Sequence, residues 1–525
     1  MYVDSELAIN FQRPLAAFLL ILGLVACSND GGDSEGDGFD IIIDSPSVEL
    51  VPFTKANSPI SGLLHSVDEP FVLGLLFPLS EIGYQQQEFF LTGTANSFES
   101  IGELGPNGQW TVGPAGRADY TTRILVYRPE NDDDFNGTVI VEWLNVTGNF
   151  DAAPDWIMLH TELARSGYAW IGVSAQRAGI HGGDGGIDLG LPDLSLKGVN
   201  EERYGPLEHP GDSYSYDIFS QAGQAIRYPQ EVDPLAGLDV QTIIASGVSQ
   251  SAIRMMTYVN AIGPKIDLFD AYFIHSRIGS GASLSQAPQS EISVPSTLQV
   301  RSDLRVPVLM LMTETDVLLT GRSSLPAYYS RQEDTPSFRL WEIAGAAHGD
   351  LYTVDGMSDK GGDPQYVAIE EKSNLLNVLT CGEPINSGPQ HFVAIAAMDS
   401  LNRWVREGTA PALAPRLEVL DEAGELSFVR DEHGNVLGGI RSPHVDVPIA
   451  TFGEFGVDVG ENTFCFLAGT TTLFSSDKLA ALYPSQESYV DAVSASADAA
   501  VAARFLIQED ADLIRAAALA SGVGL

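Results

Sequence analysis

Positive charge is scarce in this chain. Its 525 residues include 28 Lys and Arg against 70 Asp and Glu, a formal net charge of −42. A surface with this excess repels the phosphates of nucleic acids and anionic lipid headgroups, so neither is predicted to bind to it, and nucleic-acid binding is excluded. We interpret the surplus carboxylates as solvated surface rather than as an acid-rich catalytic centre.

Cysteine is also rare, with three in the whole chain. The tetrapeptide LVAC that ends at Cys27 resembles the lipobox of bacterial lipoproteins, and Ser28 after it is typical of sorting to the outer membrane. The apolar run 15–24 before it is too short to span a bilayer, which takes about 20 residues. We predict that 1–27 is a lipoprotein signal peptide and that lipid on Cys27 is the only membrane attachment. A plain cleaved signal peptide is the alternative.

The other two cysteines, Cys381 and Cys465, would meet an oxidising compartment in an exported chain, where thiols can bridge. Neither lies in a strand–turn–helix setting, and neither has a partner at metal-ligand spacing. We predict a disulfide between them. Two buried free thiols are the alternative, a catalytic cysteine is disfavoured, and no metal site is predicted.

The chain is predicted to fold as one large α/β domain with additions. Residues 28–45 are mostly Gly, Asp, Ser and Glu at their start and are interpreted as a flexible acidic linker. In the core, 46–415, strands and helices alternate, which predicts a mostly parallel sheet with helices on both faces. Residues 175–235 exceed what a crossover needs and are interpreted as a cap-like insertion. Residues 416–525, with a strand hairpin and Ala-rich helical segments, are predicted to pack on the core as a C-terminal extension.

Element boundaries follow from β-branched and aromatic runs and from amphipathic spacing. Strands are predicted at 120–127, 138–144, 168–174, 239–246, 269–274, 306–312 and 338–344. Helices are predicted at 154–166, 250–261 and 391–407 and within 486–520.

A predicted strand runs through a small-residue turn into a predicted helix at Ser249. The segment ASGVSQSA places Gly247 two residues before this serine and Ser251 two residues after it. This is the pattern of a nucleophile elbow, a sharp turn that exposes a serine hydroxyl, although Gly is usual where Ser251 stands. Ser174 also follows a strand in Gly-Val-Ser. No helix-compatible segment comes after it, so it is interpreted as a structural turn serine.

A serine hydroxyl needs a histidine to accept its proton and an acid to orient that histidine. In folds with a nucleophile elbow, the catalytic residues follow one another along the chain as serine, acid and histidine, each after the carboxyl end of a strand. His348 directly follows a predicted strand and is predicted to be the base. Asp316 is predicted to be the acid, with Glu314 as the alternative. The other histidines with room for an intervening acid are interpreted as solvated or helix-capping: His391, His433 and His444.

Acyl transfer also needs two preorganised N–H donors for the oxyanion, each worth about 3 kcal/mol. Gln250, the residue after the serine, is predicted to supply one. The other is predicted to come from Asn145 or Val146, directly after a strand. This chemistry needs no cofactor.

Matches spread along the chain point to one family. The resemblance to the secreted "alpha/beta hydrolase domain" proteins of bacteria and fungi rests on YTTRILVYRP, FNGTVIVEWLNV, DIFSQAG, ASGVSQSA, TETD, FRLWEIAGAAH and the Cys381 and Cys465 segments. It extends from about residue 85 to near the C-terminus. It implies an α/β-hydrolase fold and hydrolysis of carboxylic esters by Ser249, His348 and Asp316. In that family, serine at position 251 is expected.

The sequence therefore favours an exported serine enzyme that acts on small-molecule or polymeric esters. A polyester or lipid depolymerase and a peptidase with the same triad are the alternatives among enzymes. A catalytically silent surface-binding module is disfavoured because all three triad residue types are present in the expected order.

Overall fold

The structure is a computed structural model that describes residues 41–52, 70–183, 192–319, 325–375, 379–459 and 464–525. All of them belong to one unit, which begins at Asp40. The predicted signal peptide, Cys27 and residues 28–40 of the predicted linker lie outside the described residues. Ile41 is already buried in the core.

A nine-stranded mixed sheet forms the centre of this unit. Its strands are β1 Ser47–Leu50, β2 Tyr84–Ser100, β3 Val112–Pro129, β4 Thr138–Trp143, β5 Ala169–Val173, β6 Thr242–Val248, β7 Ala271–His275, β8 Val308–Thr313 and β9 Phe338–Ile343. They lie in the order β1-β2-β3-β5-β4-β6-β7-β8-β9. β1, β2 and β3 are antiparallel, as is the pair β3–β5, and the strands from β5 to β9 in that order are parallel. The predicted mostly parallel sheet is confirmed.

Helices cover both faces of the sheet. The helices are α1 Pro154–Arg165, α2 Arg177–His181, α3 Leu196–Val199, α4 Glu201–Tyr204, α5 Ser215–Arg227, α6 Gln250–Ala261, α7 Glu314–Leu318, α8 Tyr352–Asp355, α9 Gln390–Glu407, α10 Pro443–Asp446, α11 Ser476–Leu482, α12 Gln486–Ala502 and α13 Gln508–Ala520. Within the described ranges, none is both long and apolar enough to cross a membrane.

Side chains alternate along the buried strands and so build one apolar layer on each face. On one face Val141 of β4 belongs to the same cluster as Phe219 of α5 and Met255 of α6. On the other face Ile140 clusters with residues of α1 and α9, Trp156 among them. The parallel strands therefore lie between two helical layers, and their carboxyl ends meet at one edge of the sheet.

The C-terminal extension completes the rim of this edge. Short antiparallel pairs accompany it: β10 Asn374–Leu375 with β11 Leu379–Thr380, β12 Val419–Glu422 with β13 Glu425–Phe428, and β14 Ala450–Gly453 with β15 Thr470–Leu473. Ile440 lies beside β9, where its N–H donates to the Glu342 carbonyl and its carbonyl accepts from the Ala344 N–H. A disulfide joins Cys381 and Cys465.

Candidate active site

Ser249 occupies the sharp turn between β6 and α6. Its backbone has φ +59° and ψ −116°, a conformation that costs a non-glycine residue roughly 1–3 kcal/mol and that the surroundings must hold. The Ser249 N–H donates to the His275 carbonyl at the end of β7, 2.9 Å away. At the same turn the Ser249 carbonyl accepts from the Ile253 N–H in the first turn of α6. The strained residue is thus fixed on both sides while its side chain stays partly exposed.

Two small residues let β6 and α6 approach each other. A Cβ on Gly247 would lie 3.0 Å from the backbone of Ser251, so a larger residue would push strand and helix apart. The Ser251 hydroxyl donates to the Val248 carbonyl at 2.9 Å and accepts from the Val248 N–H at 3.1 Å. Ser251 therefore does more than fit: its hydroxyl ties the helix to the residue before Ser249.

His348 meets Ser249 from the loop after β9. Its Nε2 lies 2.8 Å from Ser249 Oγ, and its Nδ1 lies 2.5 Å from Asp316 Oδ1. With the Nδ1 proton donated to the carboxylate, Nε2 is free to accept the serine proton. The structure thus brings together the three side chains that the sequence predicted as nucleophile, base and acid.

The two candidate acids have different surroundings. Asp316 follows β8 in α7, where its Oδ2 accepts from the N–H and the hydroxyl of Thr313, both at 2.7 Å. Burial favours the neutral carboxyl, but His348 and the Thr313 donors outweigh it and hold the pKa of Asp316 below its usual value. Glu314 is directed elsewhere, and its Oε1 accepts from the Gly345 N–H at 2.6 Å. Burial raises the pKa of Glu314 to about 8.

Asn145 lies where a second oxyanion donor was predicted, but its backbone N–H donates to the Ala152 carbonyl at 2.9 Å. Its side chain instead joins two loops: Nδ2 donates to the Val248 carbonyl at 3.0 Å, and Oδ1 accepts from the Thr147 N–H at 2.8 Å. Among the described residues, no hydrogen bond engages the Val146 N–H. Of the two predicted donors, the structure therefore leaves Val146 available and uses Asn145 to hold the loop against the elbow.

The Gln250 N–H is in a similar position. It is the first amide of α6, and the first amides of a helix have no acceptor within the helix. No hydrogen bond in the described part of the chain engages it. The site thus contains a serine, a histidine, a carboxylate and two free N–H groups at the edge where parallel strands end.

A sequence profile for the family described as "Alpha/beta hydrolase domain" matches residues 49–516. The chain belongs to this family.

Several solved structures are similar to this alpha/beta hydrolase. Acetyl xylan esterase 1 from Thermoanaerobacterium sp. JW/SL YS485 matches with a TM-score of 0.27 and 11% identity over 57% of this chain and 82% of that chain. Glucuronoyl esterase from Solibacter usitatus gives 0.27 and 11% over 56% and 83%. Est1E from Butyrivibrio proteoclasticus, with ferulic acid bound, gives 0.25 and 12% over 43% and 86%. Likenesses of this degree carry no functional argument. A comparison with curated proteins gives no match.

The loop that carries His348 in this alpha/beta hydrolase is supported by the C-terminal extension. The His348 N–H donates to the Thr315 hydroxyl at 3.2 Å, and that hydroxyl in turn donates to the Glu454 carbonyl. The Gly349 N–H donates to the Leu467 carbonyl at 3.0 Å. The Cys381–Cys465 bridge lies in a small apolar cluster that also includes Leu351. The extension and the bridge therefore help to position His348.

The Gln250 side chain connects the elbow to the predicted insertion. Trp143 Nε1 and Gln250 Nε2 both donate to Gln176 Oε1 at 3.0 Å, and Gln176 Nε2 donates to Asp212 at 3.0 Å. Arg254, one turn beyond Gln250, forms an ion pair with Asp212 at 2.9 Å. Because an indole N–H can only donate, Trp143 fixes the orientation of both amides. No local pattern in the sequence predicts this network, because its partners are up to 111 residues apart in the chain (Trp143 to Arg254).

Ser174 has a different environment from Ser249. It is fully buried, its hydroxyl donates to Asp151, and it accepts from Arg123 Nε. Arg123 also pairs with Asp151 at 2.7 Å, and Arg203 of the insertion pairs with Glu88 in the same network. Ser174 is therefore part of a buried ionic network and has no histidine as its hydroxyl partner.

The other late histidines were interpreted as solvated or helix-capping, and the solvated interpretation was wrong for two of them. His391 is buried and stacks on Tyr352 with ring centroids 3.6 Å apart, and burial holds its pKa well below the usual value. His444 is buried too, which lowers its pKa to about 4. Both are covered by residues of distant segments, which local sequence does not reveal. His433 is partly exposed.

Proposed function

We propose that this chain is a serine hydrolase that cleaves carboxylic esters through an acyl-enzyme, with Ser249 as nucleophile, His348 as base and Asp316 as the orienting acid. The observation that carries the proposal is the continuous series of contacts Ser249 Oγ–His348 Nε2–Asp316, at 2.8 and 2.5 Å, on a strained elbow. A purely structural role for His348 would not require a hydrogen bond to the partly exposed Ser249 hydroxyl.

In the proposed reaction, Ser249 Oγ attacks the ester carbonyl while His348 Nε2 accepts the serine proton. The carbonyl oxygen becomes an oxyanion, which accepts from the N–H groups of Gln250 and Val146. His348 then gives its proton to the departing alkoxide, and the alcohol leaves. In the second half, water attacks the acyl-serine ester while His348 accepts its proton; His348 then returns that proton to Ser249 Oγ as the ester bond to the serine breaks, and the carboxylic acid leaves. Asp316 stabilises the imidazolium in both halves.

The test of the nucleophile is covalent labelling with a fluorophosphonate probe. The native protein is expected to be labelled and Ser249→Ala to be silent. Ser174→Ala is the matched control, because Ser174 also follows a strand. The folded Ser174→Ala variant should be labelled to the same extent as the native protein. Labelling that persists in Ser249→Ala would overturn the proposal.

Ester specificity is tested with p-nitrophenyl esters of graded acyl length and the p-nitroanilide of the best acyl group. Hydrolysis of the esters with little turnover of the anilide is expected. Faster turnover of the anilide would instead support the peptidase alternative. Hydrolysis confined to insoluble polyester or lipid would support the depolymerase alternative.

We also propose that the protein is exported and anchored through Cys27. The disulfide between Cys381 and Cys465 supports an oxidising compartment, since such bridges are rare in the cytosol. Cys27→Ala is expected to abolish incorporation of radiolabelled palmitate and to release the protein from membranes. Membrane retention of that variant would contradict the anchor.

A further inference from the structure

The C-terminal helices line a half-open cavity far along the chain from Ser249. Its volume is about 550 Å³, within the range of about 300–1,000 Å³ that ligand pockets occupy. It is bounded by α12, α13, the segment 364–369 and the turn after β15. We call it the C-terminal cavity; its lining includes Val367, Ile449, Phe474, Tyr489, Val493 and Ile514. None of Ser249, His348 and Asp316 lines it.

The lining of this cavity is almost free of charge. No Asp or Glu is among the residues that line it, in a chain with 70 of them. His444 is its one titratable imidazole, and burial lowers the pKa of His444 to about 4, so the ring is neutral at neutral pH. An apolar lining of this extent is left in contact with solvent, and an apolar ligand would remove it from water.

Two hydrogen-bond donors, one in the lining of the cavity and one beside it, have no side-chain hydrogen-bond or ion-pair partner in the described part of the chain. Tyr489 lines the cavity, and its hydroxyl forms no hydrogen bond with the described residues. Lys478 lies over the ring of the lining residue Phe474, with Nζ 3.2 Å from the ring centroid. Within the described segments Lys478 has no acidic ion-pair partner, although the chain holds 2.5 acidic residues for every basic one. An apolar cavity with a free hydroxyl and a free ammonium complements an apolar tail that ends in one carboxylate.

We propose that the C-terminal cavity binds a long-chain fatty acid, with the tail among Val493, Ile514 and their neighbours and the carboxylate held by Lys478 and Tyr489. The site is separate from the proposed catalytic centre, and binding there does not depend on the proposed function. A neutral lipid would leave both donors without an anionic partner, and a peptide would bring backbone N–H and C=O groups into a lining with few polar atoms.

The experiment is fluorescence titration of the full chain carrying Ser249→Ala with cis-parinaric acid and with its methyl ester. This background prevents hydrolysis of the ester if Ser249 is the nucleophile, and recovery of the intact ester after the titration, checked by chromatography, makes the result independent of that assignment. The acid is expected to bind with one site per chain and more tightly than the ester. Equal affinity for acid and ester, or no saturable binding, would overturn the proposal.

Variants then locate the site. Ala517→Trp fills the cavity from α13 and is expected to weaken binding of the acid at least ten-fold, whereas Ala516→Trp on the exposed side of the same helix should not. Lys478→Gln is expected to weaken binding of the acid about two- to five-fold and leave the ester unchanged, as befits a partly exposed ion pair. Lys265→Gln is its matched control.

Far-UV circular dichroism checks that each variant is folded. If Ala517→Trp does not fold, Val493→Phe is a second variant that fills the cavity. Unchanged binding in a folded cavity-filling variant would place the probe elsewhere, and equal losses of acid and ester in Lys478→Gln would rule out recognition of the carboxylate.

Discussion

Asparagine at position 316 would be held in one orientation by its neighbours. Thr313 presents two donors, its N–H and hydroxyl, to one carboxylate oxygen at 2.7 Å. In Asp316→Asn the amide oxygen must face these donors, so the NH₂ group faces His348 Nδ1. Nδ1 must then accept a hydrogen bond from this NH₂ group, so the imidazole carries its proton on Nε2, the atom that faces Ser249 Oγ. A ring in this tautomer cannot take the serine proton. We expect kcat to fall about 10⁴-fold, equivalent to about 5.4 kcal/mol.

Glu314→Gln is the matched control, because it removes a carboxylate two residues away. Burial raises the pKa of Glu314 from 4.5 to about 8, so the group is mostly protonated at pH 7 and glutamine is nearly isosteric with that form. The glutamine oxygen can still accept from the Gly345 N–H. We therefore expect kcat at pH 7 to stay within about two-fold of the native value.

The same substitution has an effect on stability that depends on pH. Between pH 4.5 and about 8 the folded state holds a proton on Glu314 that the unfolded state has lost, so native stability falls as pH rises through this window. The loss is on the order of 3 kcal/mol at pH 7. Glutamine removes this pH dependence, so the stability of the variant relative to the native protein should rise from pH 5 to pH 8.

Two assays read these outcomes. Saturating turnover of p-nitrophenyl butyrate at pH 7 gives kcat, and urea unfolding at pH 5, 6, 7 and 8 gives the stability difference. If Glu314→Gln lost as much kcat as Asp316→Asn, the assignment of Asp316 as the acid would be refuted. A stability difference that did not change with pH would refute the raised pKa.

Three further predictions concern the support of the site. Asn145→Ala should lower kcat about 10- to 100-fold with little change in KM, because the Val146 N–H loses its fixed position against the elbow; a change in KM alone, in steady-state kinetics, would contradict this role. Ser251→Ala should reduce the free energy of unfolding by about 1–2 kcal/mol in urea titrations, with labelling by the fluorophosphonate retained. Joint Cys381→Ser and Cys465→Ser substitution opens a loop closed over a separation of 84 residues. It should lower the free energy of unfolding by about 4–5 kcal/mol in the chain-entropy model and speed thermal inactivation. Inactivation rates equal to those of the native protein would show that the bridge does not support the His348 loop.

Local signals explain why the elbow could be predicted. The strand, the small residues and the helix around Ser249 are consecutive in the chain, and Gly247 is required by a contact only four residues away, at Ser251. The chain order of acid and histidine then left few candidates. The choice between Asp316 and Glu314 could not be made this way, because it depends on how Thr313 and Gly345 approach the two carboxylates.

In the fold, too, features set by local sequence could be predicted and features set by distant residues could not. The parallel strands were predicted because they are continuous apolar runs, whereas β2 was missed and β3 was predicted only for 120–127. The first part of β3 contains Pro114 and two glycines, Gly113 and Gly116, which normally argue against a strand. There it pairs with the end of β2 beyond an irregularity at Asn96 and Phe98, and long-range pairing outweighs the local preference.

The position of Ile440 beside β9 also bears on how this protein behaves at high concentration. β9 is the last strand of the sheet, and an uncovered last strand offers free N–H and C=O groups on which strands of other molecules can assemble. Here the outer groups already have partners: Ile440 bonds to the backbone near the end of β9, and Leu340 donates to Asp334 and accepts from Arg416. The C-terminal extension therefore also blocks edge-to-edge aggregation. A chain truncated before residue 440 would expose part of the β9 edge and would be prone to aggregate.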